Sequence, residues 1–232
     1  MTKYSMKVDL RKYVTNLKAQ LNVDCCTASA CLHAVEIMAA KEGKSVDFSR
    51  LYVYYMTRKI QGKHTGGCRL SSAFEALKTY GVCKETLWPF RIHEASNPPP
   101  SSAIEDGVQN KLIVHEQISV TDINKYIGNE IPVIIGFNAG PYFHEIEGPL
   151  EKQFYKPINE TDNPRELGHA ATVVGFDDSI CGGSWIIANS FGQRWGDKGF
   201  GILPYVCAID IGEAYVIQRF TGIGADKKIS DI

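Results

Sequence analysis

The chain is 232 residues long, 44% hydrophobic and 22% charged, an ordinary globular composition with room for one large domain or two small lobes sharing a cleft. Its formal net charge is −1, so no global field steers it toward nucleic acid or an anionic lipid surface. No run of roughly 20 apolar residues offers a membrane span. The start, MTKYSMKVDLRKYV, is too polar for a signal peptide, which favours a cytoplasmic or virion-associated protein. A lysosomal or secreted location would require that a leader was removed.

Residues 8–22 are mixed and polar. From Cys26 to Gly43 the run CTASACLHAVEIMAAKEG is rich in Ala, Leu, Met and Glu, lacks Pro, and repeats Ala30, Ala34, Ile37 and Met38 at three- and four-residue steps. It predicts a helix beginning at or near Cys26 and stopped by Gly43. Phe48–Ile60 and Leu70–Tyr80 predict two more helices, the second closed by Gly81. ASNPPPSS reads as a loop or linker, and Asp122–Asn129 as one short helix. The rest is β-branched and aromatic with Gly and Asp turns, predicting strands over 131–137, 170–178, 184–191, 199–205 and 214–220. Helices first and strands second define an α+β chain in two segregated layers.

Seven cysteines, an odd number, leave at least one unpaired or bonded between molecules. No CxxC pair occurs, so no structural zinc site is expected. Cys26 stands where a helix should begin, a place where the helix dipole favours a thiolate. Alone it reads more readily as a small buried helix residue. His169, between a glycine and an apolar strand, reads alone as a satisfied core histidine. Asn189, at the end of a strand, reads alone as a turn residue.

Together the three segments say more. QLNVDCCTASA places Gln20 six positions before Cys26, His169 opens HAATVVGFDD, and Asn189 sits in WIIANSFGQRWGDKGFGILPY with Ser190, Gly192, Trp195, Gly196, Gly199 and Phe200. This set resembles the papain family of cysteine peptidases, closer to bacterial and viral branches than to cathepsins. The likeness extends to VDLRKYV, to the pair Gly66-Gly67 and to GVCKETLWPF. His169 follows Cys26 by 143 positions, inside the roughly 130–150 of such enzymes, while Asn189 falls slightly beyond. A modest insertion around 142–167 would account for both.

The resemblance implies a two-lobe fold with the active site in the cleft between. Residues 1–110 would form a helical lobe carrying the nucleophile. Residues 111–232 would form an antiparallel, β-barrel-like lobe carrying His169 and Asn189. The implied activity is a cysteine endopeptidase working through a thioacyl-enzyme. The competing readings are a catalytically silent homologue that binds peptides or serves a structural role, and an acyl-transfer or isopeptide-cleaving enzyme. Cys26 would attack, His169 would carry the proton, Asn189 would orient it, and the Gln20 amide would help hold the oxyanion. Gly66, Gly67, Gly168 and Trp195 would contact substrate. No metal or organic cofactor is implied; the partners would be a peptide or protein substrate and an inhibitory protein or proregion in trans.

Several positions depart from the family pattern. Cys25 is a second thiol beside the nucleophile. Val23 replaces the usual disulfide partner, which leaves Cys68 without its mate and Cys25–Cys68 as an open possibility. Phe191 replaces the tryptophan that covers the Asn–His bond, so an aromatic lid is retained. Glu213 is placed either in the main specificity pocket or in solvent. His144 reads as a surface-loop residue.

Overall fold

In this computed structural model the described residues are 6–155 and 168–223. Residues 1–5 and the second part of the expected 142–167 insertion, 156–167, therefore lie outside them. The first half supplies α1 (Cys26–Lys41), α2 (Arg50–Gln61), α3 (Leu70–Thr79) and α4 (Ser101–Gly107). The second half supplies β2 (Leu112–Ile118), α5 (Ile123–Gly128), β3 (Val133–Asn138), β4 (Gly168–Asp177), β5 (Ser184–Ala188), β6 (Phe200–Pro204) and β7 (Ile211–Phe220). A three-residue strand, β1 (Lys7–Asp9), belongs to the sheet as well. No described helix is long and apolar enough to cross a membrane.

The α1 helix is buried on nearly every side. Its alanines at 28, 30, 34 and 39 carry little bulk, so helices and sheet both approach its axis closely. Ser49 caps α2 by accepting from the Tyr52 N–H at 3.3 Å. Gly81 ends α3 with φ +72°, and a Cβ there would collide with the Gly107 carbonyl, so glycine is required for both conformation and space.

The sheet is antiparallel and ordered β2-β7-β3-β4-β5-β6, with β1 beside β4. β3 pairs with β4 from Gly168 to Val173, and β1 takes the edge beyond, with Lys7–Asp9 opposite Gly175–Asp177. Alternation along the strands sorts side chains between two cores. Ile134, Ala170 and Tyr215 join the helices, while Val133, Ile135 and Val173 join the core containing α5. The expected barrel-like closure is not made; the sheet is open. The outer edge of β6 is occupied by the side-chain amide of Gln153, which accepts from the Ile202 N–H at 2.9 Å and donates to the Phe200 carbonyl at 3.2 Å. The other end strand, β2, is flanked by α3, with the Phe74 and His115 rings 4.5 Å apart. Both edges are thus managed by something other than a strand.

Two buried polar arrangements position the site. The Thr172 hydroxyl of β4 donates to the Ala30 carbonyl of α1 at 2.8 Å. The segment before α1 is locked onto that helix: Lys18 Nζ lies 3.0 Å from Glu36 and 2.7 Å from Asp47, and the Lys18 N–H donates to His33 Nε2 at 2.9 Å.

Candidate active site

Cys26 is the first residue of α1, and Cys25 at the cap makes no side-chain capping bond. The first-turn amides of the helix therefore keep their partial positive charge at the thiol. Cys25 is fully buried, and burial pushes its thiol up to about 12. Cys26 is also raised by burial, but backbone hydrogen bonds from Ala170 and Thr27 act in the opposite direction. Of the two adjacent thiols, Cys26 lines the cleft, as the Gln20 offset implies.

His169 stands at the second position of β4, opposite Phe137 of β3. Its Nε2 lies 2.7 Å from Asn189 Oδ1. An amide carbonyl only accepts, so this contact places the hydrogen on Nε2 and leaves Nδ1 as the other face of the ring. The Ser190 N–H also donates to Asn189 Oδ1, at 2.7 Å, which fixes the amide's orientation. Burial holds His169 down at about 4; the Asn189 bond opposes this, and His144 adds to it. Each of these shifts concerns one charge made alone. Moving the Sγ proton to the imidazole makes both charges together, and each then offsets the other's desolvation.

The loop after β5 carries Asn189 and folds back through Gly196, whose φ of +58° and close approach to the Phe200 carbonyl exclude a side chain. Phe191 lies 4.8 Å from the His169 ring, as the lid the sequence implies. Phe143 packs beside it, 5.5 Å from the His169 ring and 5.7 Å from the Phe191 ring. Gln20 approaches from the first half of the chain and is gripped by Ser190: the Ser190 hydroxyl donates to Gln20 Oε1 at 2.5 Å, and Gln20 N–H donates to the Ser190 carbonyl at 2.7 Å.

Gln20, Cys26, Gly67, Gly168 and His169 line one cavity of about 340 Å³. A neighbouring cleft of about 580 Å³ shares Cys26, Gly67, Gly168 and His169 and adds Cys68 and Glu213. Gly66 sits one residue back, its carbonyl accepting from Tyr54 at 3.2 Å. Trp195 is buried and donates to the Phe143 carbonyl at 2.8 Å, so it supports the lid from behind. All seven cysteines are free thiols. Among the described residues no cluster of three or more His, Cys, Asp or Glu could hold a metal.

Sequence reasoning missed Phe143 and His144 as site residues. They belong to a short turn, Pro141–Glu145, with no motif around it. Ser190 was visible only as part of a motif, since its partner Gln20 lies 170 positions away.

A thiol at a helix N-terminus, beside an imidazole held by an amide, defines a class: the thiol proteases, which are hydrolases. The family model described as papain family cysteine protease matches residues 4–215. The chain belongs to that family. Its relatives include an uncharacterized peptidase C1-like protein of Acanthamoeba polyphaga mimivirus, 26% identical over 92% of this chain and 74% of that one. The crystal structure of xylellain, a cysteine protease from Xylella fastidiosa, aligns with a TM-score of 0.78 at 26% identity, covering 91% of this chain and 85% of that one. The ragweed pollen cysteine protease Amb a 11 in its proform aligns at 0.72 and 22% identity, covering 98% and 69%. The chain spans between 52% and 60% of the length of the plant and animal relatives it matches.

Proposed function

We propose that residues 1–110 and 111–232 form one catalytic domain, a cysteine endopeptidase with Cys26 as nucleophile. The observation that carries this reading is the 2.7 Å His169–Asn189 contact in the same cavity as the thiol at the start of α1. Cys26 Sγ attacks the scissile carbonyl as the thiolate. Nδ1 of His169, left free by the Asn189 bond, holds the thiol's proton and delivers it to the departing amine. The Gln20 Nε2 amide and the Cys26 backbone N–H donate to the oxyanion. Water then attacks the thioacyl group and releases the acid, with His169 again moving the proton. Gly67 and Gly168, with no Cβ in the cleft, leave room for an extended substrate backbone.

The substrate is a peptide or protein. The proform among the structural neighbours supports a proregion or separate inhibitor that would lie in this cleft in trans. Seven free thiols, five of them buried, favour a reducing setting, cytoplasmic or virion-associated.

The test is alkylation of the native protein with one equivalent of a thiol-directed epoxide, followed by mapping of the adduct. Labelling confined to Cys26, and lost in His169→Ala, is the expected result. Slow, equal labelling of several cysteines would instead point to a silent peptide-binding homologue.

A further inference from the structure

The Pro141–Glu145 turn is held rigidly. The Phe143 N–H donates to the Gly140 carbonyl at 2.9 Å, the Gly140 N–H donates to the Tyr155 hydroxyl at 2.9 Å, and Trp195 grips the Phe143 carbonyl. This turn presents His144 to Phe191. The two rings stack 4.6 Å apart and within 9° of parallel. Phe191 in turn contacts His169. His144 also lines both the catalytic cavity and the adjoining one beyond Phe191. An ionisable ring therefore lies one phenyl ring away from the catalytic imidazole, with one edge open to solvent.

We propose that His144 is a positioning residue for the catalytic pair: it seats Phe191 on His169 and, when protonated, sets the pH at which Cys26 and His169 reach their reactive form. The inference rests on the reading of Cys26 and His169 given above. A protonated imidazole over a phenyl face is a favourable cation–π contact, so protonation tightens the lid. The same charge opposes protonation of His169. It also favours a thiolate at Cys26, because a cation nearby stabilises an anion. The other charged groups around His144 are Asp24 from the segment before α1, Glu145 and Glu147 from its own stretch, and Arg194 from the Phe191 loop. They are common to every variant considered below and cancel in the comparison.

The sign follows from when each charge is present. Histidine carries its charge on the acid side of the range between about pH 5 and 8 and loses it on the basic side. The acid limb of reactivity reports ionisation of the thiol beside a protonated His169. There a cation at position 144 helps, and the limb lies lower than it would without one. The basic limb reports loss of the His169 proton, and a cation held beside that ring at such pH lowers it. His144→Phe keeps the stack and removes the charge. Its acid limb should move up by roughly 0.3–0.6 pH units, the effect of a unit charge acting across on the order of 10 Å at a dielectric of about 40–80, while its basic limb stays in place. His144→Arg keeps a planar cation at every pH. Its acid limb should match the parent and its basic limb should move down by a similar amount.

The measurement is the rate of Cys26 alkylation by uncharged iodoacetamide against pH, at low salt and again at about 1 M salt, where screening should shrink both displacements. Kinetics of peptide cleavage on the same variants provide a second profile. Opposite single-limb displacements in the Phe and Arg variants support the inference. Unmoved limbs in both, with His169→Ala altering the profile, overturn it while leaving the catalytic pair intact. A His169→Ala profile identical to the parent overturns the pair, and this inference with it.

Discussion

The Ser190 hydroxyl and the Gln20 side-chain carbonyl meet at 2.5 Å, and the two residues are joined again through backbone N–H and C=O at 2.7 Å. The loop after β5 and the loop before α1 are thereby tied at Gln20, the proposed oxyanion donor. With Oε1 engaged, the Nε2 end of Gln20 is the part left to face the cleft. Ser190→Ala removes one hydrogen bond, worth about 0.5–1.5 kcal/mol, so kcat should fall roughly 2- to 13-fold with KM nearly unchanged. Gln20→Ala removes the donor itself and should cost about 100- to 1,000-fold. Steady-state cleavage of a peptide substrate measures both; a Ser190→Ala enzyme with the parental kcat would show that Gln20 is positioned without it.

Glu213 is half-buried and lines the larger cleft. Its carboxylate accepts from the Tyr215 hydroxyl at 2.9 Å and fills the space that Gly136 leaves open. A fixed negative charge in a substrate cleft should favour a basic side chain there. Glu213→Gln should lower the ratio of kcat/KM for an arginine-bearing peptide over its leucine counterpart by about tenfold, equivalent to about 1.4 kcal/mol. Paired substrates differing at one residue provide the assay, and an unchanged ratio would remove Glu213 from specificity.

His33 is fully buried and accepts from the Lys18 N–H, so it must be neutral in the fold. Burial, with Lys18 and Arg50 adding to it, holds it down at about 3. A base whose folded value is depressed stabilises the fold above its ordinary value of about 6.5, and that stability is lost as pH falls toward 3. The parent should therefore lose a few kcal/mol of unfolding free energy over this window, with His169 adding to the same slope. His33→Gln keeps an acceptor for Lys18 and does not titrate. Urea unfolding at several pH values should show a shallower decline for it.

The Lys18–Glu36 pair is buried on both sides. Lys18→Met strands the Glu36 carboxylate and should destabilise by about 3–5 kcal/mol. Replacing both, as Lys18→Met with Glu36→Leu, should recover most of that loss. Denaturant midpoints decide the matter: a double variant no better than the single would show that the pair itself contributes the stability.

Much of this molecule is legible in its sequence where spacing and backbone geometry coincide. The α1 run predicts its own start at Cys26, because alanine-rich periodicity and the break before it agree. The Asn189 block is legible because its turn leaves no space at Gly196 for another residue. Elements held by distant partners are not. β1 is three residues long and exists because β4 has a vacant edge beyond Val173. β2, with its register shifts against β7, carries a broken alternation and is not among the strands predicted from the sequence. The helix α4 is a seven-residue turn placed after a proline run. The open sheet was hidden for a similar reason, since one glutamine, Gln153, stands where a strand would close it. Phe143 and His144 acquire their roles only through contacts with the far end of the chain.

The Thr172–Ala30 bond has a kinetic consequence. Ala30 is one helical turn from Cys26, and Thr172 is three residues along β4 from His169. The proposed nucleophile and base are therefore mounted on a single cooperative unit, and separating them means breaking a buried bond. Slow amide exchange should spread across both elements together. The protease sets the relation of its two reacting groups with its own folding free energy before any peptide arrives. The energy released on binding substrate then remains available for twisting and aligning the scissile bond.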